Sequence, residues 1–307
     1  MRIGIAGCGR IAERGYVPAA LAAEGVTIAG FADPDADRRG RCRQLWEQES
    51  GSDTAGFATA EELLRTDGID LLVVATPAEH HLPLAEAAAT AGLRSLVEKP
   101  PAADLAEAQR LASLDPAPLL AFNRRFLQGA ELRDSIPAEG WLELDLELRF
   151  RRDAWGAHEA RDEALLDAGI HLIDLACFLT GSAPIAVRNA EIEQERATLE
   201  LELARGRARI RCATDRGHRE LINVRDRSGK TLARSRWGGV KSRLSGLLGR
   251  PDPLVVSQRR QLEAVGHSDR LATAADGVAA MAVVEAARRS AALAGAEVTV
   301  SPAGAPA

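Results

Sequence analysis

Over the first 120 residues, short apolar runs alternate with longer stretches whose apolar residues recur every three or four positions. RIGIAG, VTIAGFAD, IDLLVVAT, RSLVEKP and PLLAFN read as strands. They lack polar alternation, which implies burial on both faces and hence a parallel sheet covered by helices. RIAERGYVPAALAAEG, DADRRGRCRQLWEQES, AEELLRTDG, LPLAEAAATAG and DLAEAQRLASL supply those helices. The pattern predicts an α/β, doubly wound parallel sheet of the Rossmann type.

The rhythm changes near residue 122. In WLELDLELRFR, Leu142, Leu144, Leu146 and Leu148 alternate with Glu143, Asp145, Glu147 and Arg149, which predicts a half-buried antiparallel strand. Such a leucine face is able to pack on a partner subunit or under a helix of the same chain. A helical stretch, EALLDAGIHLIDLACFLTG, stops at Gly181, a suitable C-cap. Alternating runs follow in AVRNAEIE, ATLELELARG with RARIRCAT, and RELINVRDRSG with KTLARSR. The stretch from Gly238 to Pro253 reads as a loop, GVAAMAVVEAARRSAALAG as a long helix and EVTVS as a last strand. The expected organisation is a dinucleotide-binding domain over 1–121 and an α+β domain with a largely antiparallel open sheet over 122–301. Residues 302–307 read as a disordered tail.

Composition narrows the function. Hydrophobic residues make up 46% and charged residues 27% of the 307, the balance of a globular protein with an ample core. A net charge of −5 argues against a nucleic-acid partner, which needs a basic face. No apolar stretch reaches the roughly 18 residues of a membrane span, and the N-terminus lacks a signal-peptide layout, so a cytoplasmic location is expected. The four cysteines lack paired spacing and the six histidines lack ligand-spaced partners, so neither disulfides nor a metal site are expected.

Candidate chemistry begins at Gly7-Cys8-Gly9-Arg10-Ile11-Ala12, a GxGxxA between the first strand and a helix. Glycines there let the backbone approach a pyrophosphate, and the helix N-terminus supplies free N–H groups. Asp33 ends the second strand 24 residues after Gly9, near the roughly 20-residue spacing of a ribose-binding acid. A carboxylate there favours NAD; Arg38 and Arg39 nearby leave NADP open.

Lys99 is one of only three lysines, and it stands at the carboxyl end of a strand, where ligands of doubly wound sheets bind. Pro100 and Pro101 fix the backbone behind it. A lysine there is suited to stabilising the alkoxide that develops as hydride leaves a carbinol. Asp167 and His171, four apart on a helix, share a face and suit proton transfer, with Asp174 a reserve partner. The same spacing equally suits the wet side of an amphipathic helix.

Together, GxGxxA, Thr76-Pro77 followed by His81, Glu98-Lys99-Pro100, Asn123 to Phe126 and DAGIHLID resemble the Gfo/Idh/MocA oxidoreductases, the family of glucose-fructose oxidoreductase and inositol dehydrogenase. The resemblance covers nearly the whole chain. It implies Lys99, Asp167 and His171 as catalytic residues, with His171 the proton acceptor. It also implies that Thr76, Pro77, His81, Glu98, Pro100 and Asn123 line the cofactor, beside Gly7, Gly9, Arg10, Ile11 and Asp33. The chain departs from the family at Ala78, at His80 beside His81, and at Asp162 and Glu163.

The activity so implied is an NAD(P)-dependent dehydrogenase or reductase acting on a sugar, cyclitol or related polyol, without metal, in a homo-oligomer (dimer or tetramer). Arg124, Arg152 and Trp155 are candidate substrate contacts, and Arg149, Arg151 and Arg161 lie close by. Two rivals share the same parts: a redox-neutral enzyme that cleaves glycosides with a retained NAD, and a non-catalytic cofactor-binding sensor.

Overall fold

The computed structural model describes residues 1–152, 162–238 and 252–301. The chain divides into two compact units. One comprises Met1–Leu127 and Asp252–Gly277; the other comprises Gln128–Pro251 and Val278–Ala307. A single break at 121/122 therefore does not describe the chain, because Asp252–Gly277 returns to the first unit. Residues 253–264 form a helix, with Asp252 capping its N-terminus through Leu254 N (2.8 Å) and Pro253 in its first turn. Pro253 thus begins a helix and does not end a loop; 239–251 and the 302–307 tail lie outside the described residues.

The strands of the first unit are β1 (Arg2–Ala6), β2 (Thr27–Ala32), β3 (Ala55–Phe57), β4 (Leu71–Val74), β5 (Arg94–Val97) and β6 (Leu119–Leu120). Those of the second are β7 (Leu142–Arg151), β8 (Pro184–Ile192), β9 (Arg196–Leu203), β10 (Gly206–Ala213), β11 (Asp215–Asp226) and β12 (Thr231–Gly238). β13 (Ala272–Thr273) belongs to the first unit and β14 (Val298–Thr299) to the second.

The first sheet runs β13-β6-β5-β4-β1-β2-β3, parallel except for β13. Chain order reverses direction between β1 and β4, the switch point at which doubly wound sheets open a crevice beyond the strands' carboxyl ends. Ile3, Ile5, Phe31, Leu71, Val73 and Leu96 pack into its core. β3 is only three residues long and carries no periodicity that the sequence displays.

The second sheet runs β12-β11-β7-β10-β9-β8-β14. β7 is antiparallel to β11 but parallel to β10, so the expectation of a purely antiparallel β7 needs correction. Alternation reports which face is wet and carries no information on neighbour direction. Leu142, Leu144, Leu146 and Leu148 are buried beneath the chain's own helical segment, residues 165–180. The leucine alternation therefore carries no argument for a partner subunit. The opposite face is a ladder of cross-strand ion pairs: Glu143–Arg207 at 2.7 Å, Asp145–Arg211 at 2.9 Å, Glu200–Arg209 at 3.1 Å. Among the described residues, no helix is long and apolar enough to cross a membrane.

Candidate functional site

In the first unit the glycine loop leaves β1 toward the switch point. Gly7 has φ +94°, and a Cβ on it would stand 2.5 Å from Ala75 O, so only glycine fits. A Cβ on Gly9 would meet nothing within 4 Å. The loop therefore has free space above Gly9, where a ligand can approach the backbone. Gly9 O accepts from Ala12 N (3.1 Å) and Glu13 N (3.0 Å), which starts the helical segment through Ala22. Its first turn is π-type, Ala12–Tyr16; Arg10 is exposed and Ile11 half-buried.

Asp33 follows β2 and is buried. Its carboxylate accepts from Cys8 N (2.7 Å) within the glycine loop and from Asp35 N (2.8 Å). It therefore clamps the loop while standing where the spacing of a ribose-binding acid requires it. Arg39 donates to Asp33 O, and Arg38 pairs with Asp35 at 3.2 Å on the surface.

Beyond β4 lie Thr76 and exposed Pro77; beyond β5 lie Glu98, Lys99 and Pro100; beyond β6 lies Asn123. Thr76 Oγ1 and Asn123 Oδ1 are buried and lack hydrogen-bond partners among the described residues. Orphaned polar atoms of this kind are costly unless a ligand or water satisfies them. With the open space over Gly9, they fit a dinucleotide's hydroxyl and amide groups. Lys99 is half-buried, and the peptide bond joining it to Pro100 is cis.

His80 is exposed, whereas His81 is fully buried. His81 Nε2 lies 2.8 Å from Thr76 O and Nδ1 2.9 Å from Pro100 O. The ring thus braces the segment after β4 against the segment after β5, and its nitrogens are turned to backbone. Burial holds its pKa below the usual histidine value, against the pull of those carbonyls.

In the second unit, Asp167 lies in a π-type turn, Leu165–Gly169, that leads into the helix Ile170–Thr180; Gly181 closes it in the left-handed conformation, as expected. A Cβ on Gly169 would come within 2.8 Å of the Leu165 side chain and 3.1 Å of Cys212 Sγ, so a larger residue there would have to displace the Leu165 side chain. Asp167 accepts from Arg152 Nε (3.0 Å) and Nη2 (2.8 Å), a charge-assisted pair in a partly buried setting. Arg152 Nη2 also donates to Asp162 O at 2.6 Å. His171 and Asp174 are buried on the same helix. Arg149 pairs with Glu147 at 3.5 Å, and Arg151 is exposed. Arg124 is half-buried near the end of the first unit's leading segment; Trp155 and Arg161 lie outside the described residues. Among the described residues no cluster suited to a metal ion occurs.

Two residues that pattern reading missed are Tyr16 and Gln258. Tyr16 Oη donates to Glu98 Oε1 at 2.8 Å, a contact 82 residues apart in sequence. Gln258, on the helix 253–264, is fully buried.

Residues 1–115 match the family described as an oxidoreductase family with an NAD-binding Rossmann fold. Among curated relatives, an inositol 2-dehydrogenase of Leifsonia xyli is 28% identical over 61% of this chain and 55% of its own length. The rhizopine catabolism protein MocA of Rhizobium meliloti is 28% identical over 93% of each chain. The chain spans only 57% and 55% of the first two curated relatives it matches. In fold, it resembles a myo-inositol dehydrogenase from Lactobacillus casei solved with NAD(H) and myo-inositol, with TM-score 0.77, 16% identity, and coverage of 100% of this chain and 98% of that one. The first 115 residues thus carry the NAD-binding Rossmann domain of the Gfo/Idh/MocA oxidoreductases, and the glycine loop, the EKP turn and the DAGIHLID helix stand in the order that makes the rest of the chain similar to that family.

Proposed function

We propose that the chain is an NAD-dependent oxidoreductase acting on the carbinol of a sugar, cyclitol or related polyol. The observation that carries this reading is Lys99, half-buried beyond β5 in the unit whose switch point holds the glycine loop and the unsatisfied Thr76 and Asn123 atoms. Gly7, Gly9, Arg10 and Ile11 would hold the pyrophosphate, Asp33 the ribose, and the atoms beyond β4 and β6 the remaining polar groups. Asp33 favours NAD over NADP, because its carboxylate would repel a 2′-phosphate. The nicotinamide, when bound, supplies hydride acceptance and donation at C4.

The chain's own residues divide the remaining work. The Lys99 ammonium stabilises negative charge on the substrate oxygen. The His171 imidazole takes the hydroxyl proton, and Asp167, itself held by Arg152 at 2.8 Å, keeps the imidazole oriented. Arg124 and Arg152, with Trp155, are the substrate contacts in this reading. Relatives named for inositol and apiose support polyols as the substrate class.

The test is reduced-nicotinamide absorbance with NAD or NADP across cyclitols, aldoses and uronates. Turnover should appear with at least one polyol and NAD, and Lys99→Ala should lower it on the order of 10³-fold, with cofactor affinity little changed. Cofactor that stays bound without net reduction, while a glycoside is cleaved, would replace this reading with the redox-neutral one.

A further inference from the structure

We propose that Tyr16 and Glu98 are positioning residues for Lys99, joined in a buried chain that ties the lysine's backbone to the helix following the glycine loop. The proposal rests on the role given to Lys99 above. Glu98 N donates to Val74 O at 3.0 Å, which fixes the backbone at the end of β5. Its carboxyl then takes two donors, one on each oxygen. Tyr16 Oη reaches Oε1 at 2.8 Å, and Lys99 N reaches Oε2 at 3.1 Å. Tyr16 lies in the turn that leaves the glycine loop, so one carboxyl links the segment expected to receive pyrophosphate to the residue expected to meet the reacting oxygen.

A third element closes the arrangement. The helix 253–264 places the Gln258 amide beside the Glu98 carboxyl. A Cβ on Gly15 would stand 2.1 Å from Gln258 Oε1, so glycine at 15 is what admits the amide. Neither amide atom of Gln258 completes a well-formed hydrogen bond. A buried phenol, carboxyl and amide form a poor stabilising device, since burying polar groups costs more than an apolar filling of the same volume. Their presence where apolar packing would serve stability better points to a positioning task. Burial raises the pKa of both groups, Tyr16 well above the usual phenol value and Glu98 above the usual carboxyl value. Tyr16 therefore remains an O–H donor across the working pH range. The titratable and charged groups facing Glu98 are Tyr16 and Lys99, and both its hydrogen bonds and the lysine charge favour the carboxylate.

The composition of the chain supplies a direct test. Lys99, Lys230 and Lys241 are its three lysines, so reductive methylation with 13C-formaldehyde gives three lysine signals besides that of the N-terminus. Lys99→Arg assigns the relevant one. In Tyr16→Phe, the Lys99 signal should move while the Lys230 and Lys241 signals stay. With substrate, kcat should fall on the order of 10²-fold, while the NAD dissociation constant stays within about threefold. The acid limb of the kcat profile should also move to higher pH, because a hydrogen bond that favours the Glu98 carboxylate is gone. An unmoved Lys99 signal and unmoved acid limb, with only a lowered melting temperature, would overturn the proposal.

Should Tyr16→Phe fail to fold, Glu98→Gln keeps the volume but replaces one accepting oxygen by an NH2 group. The Lys99 signal should again move and kcat fall, while the acid limb, having lost the Glu98 carboxyl, should disappear rather than shift. An unmoved signal with an unchanged limb would overturn the proposal. If the intact chain binds NAD but reduces it with no polyol, the functional reading fails by itself. The Lys99 signal then still decides whether Tyr16 and Glu98 hold the lysine.

Discussion

The two units handle polar groups in opposite ways. In the first, strands are largely apolar on both faces, and the residues expected to meet a ligand stand where the chain leaves them: Asp33 after β2, Thr76 after β4, Glu98 and Lys99 after β5, Asn123 after β6. In the second, β7, β9 and β10 are polar on one face. Leu142, Leu144, Leu146 and Leu148 point into the core, and the acids between them pair with arginines of β10 across the sheet. A two-sided core leaves function only the strand ends, where backbone groups are free and helices begin. A one-sided sheet leaves its outer face to solvent and lets helical segment 165–180 carry the candidate acid and base.

That contrast breaks most sharply at β7. Leu146→Ala removes a fully buried side chain in the middle of the strand and should cost about 2–5 kcal/mol, read from urea unfolding. On the opposite face, Arg207→Ala removes one exposed partner of Glu143 and should change stability by less than about 1 kcal/mol. Similar losses from the two would mean that the charged face does more than meet solvent.

Gly7→Ala tests the strand-end rule in the first unit. At φ +94°, with Ala75 O 2.5 Å from the new Cβ, it should cost about 1–3 kcal/mol and weaken NAD binding. Gly9→Ala, with open space around its Cβ, should leave stability nearly unchanged yet reduce NAD affinity. Isothermal titration and thermal unfolding on the same samples separate the two effects. Equal affinity in Gly9→Ala and the parent chain would show that nothing approaches the loop there.

The smallest effect concerns His81. Its folded-state pKa is depressed below 6.5, so it contributes stability that is present above about pH 6.5 and is lost as pH falls through the folded value. Urea midpoints at pH 8 and at acidic pH should therefore diverge more for the parent chain than for His81→Gln. A parallel fall in both would assign the acid sensitivity to other groups.

Much of this was legible because period and position are local properties. Apolar runs without alternation announced the parallel sheet, and strict alternation in LELDLELRF announced a sheet with one wet face. Lys99 stood out as a rare residue at a strand's carboxyl end, and GxGxxA gained meaning from the strand before it and Asp33 after it. The helix 253–264 was not legible for a specific reason. Its buried positions are Ser257, Gln258, Gln261 and Leu262, so the face turned to the core is mostly polar and gives no hydrophobic stripe. Gln261 Nε2 donates to Leu120 O at 3.1 Å, a partner 141 residues away.

The sequence by itself determined the two sheet types, the glycine loop with its acid, and the residues on which chemistry is proposed, because each is written in spacing along the chain. Only the tertiary structure decided that β7 runs parallel to β10, that Asp252–Gly277 rejoins the first unit, that His81 braces two carbonyls, and that Tyr16 meets Glu98. Each of these depends on which distant segment supplies a partner for a buried polar group or a strand edge. Hydropathy along a chain registers whether a position is buried and is silent on what it is buried against.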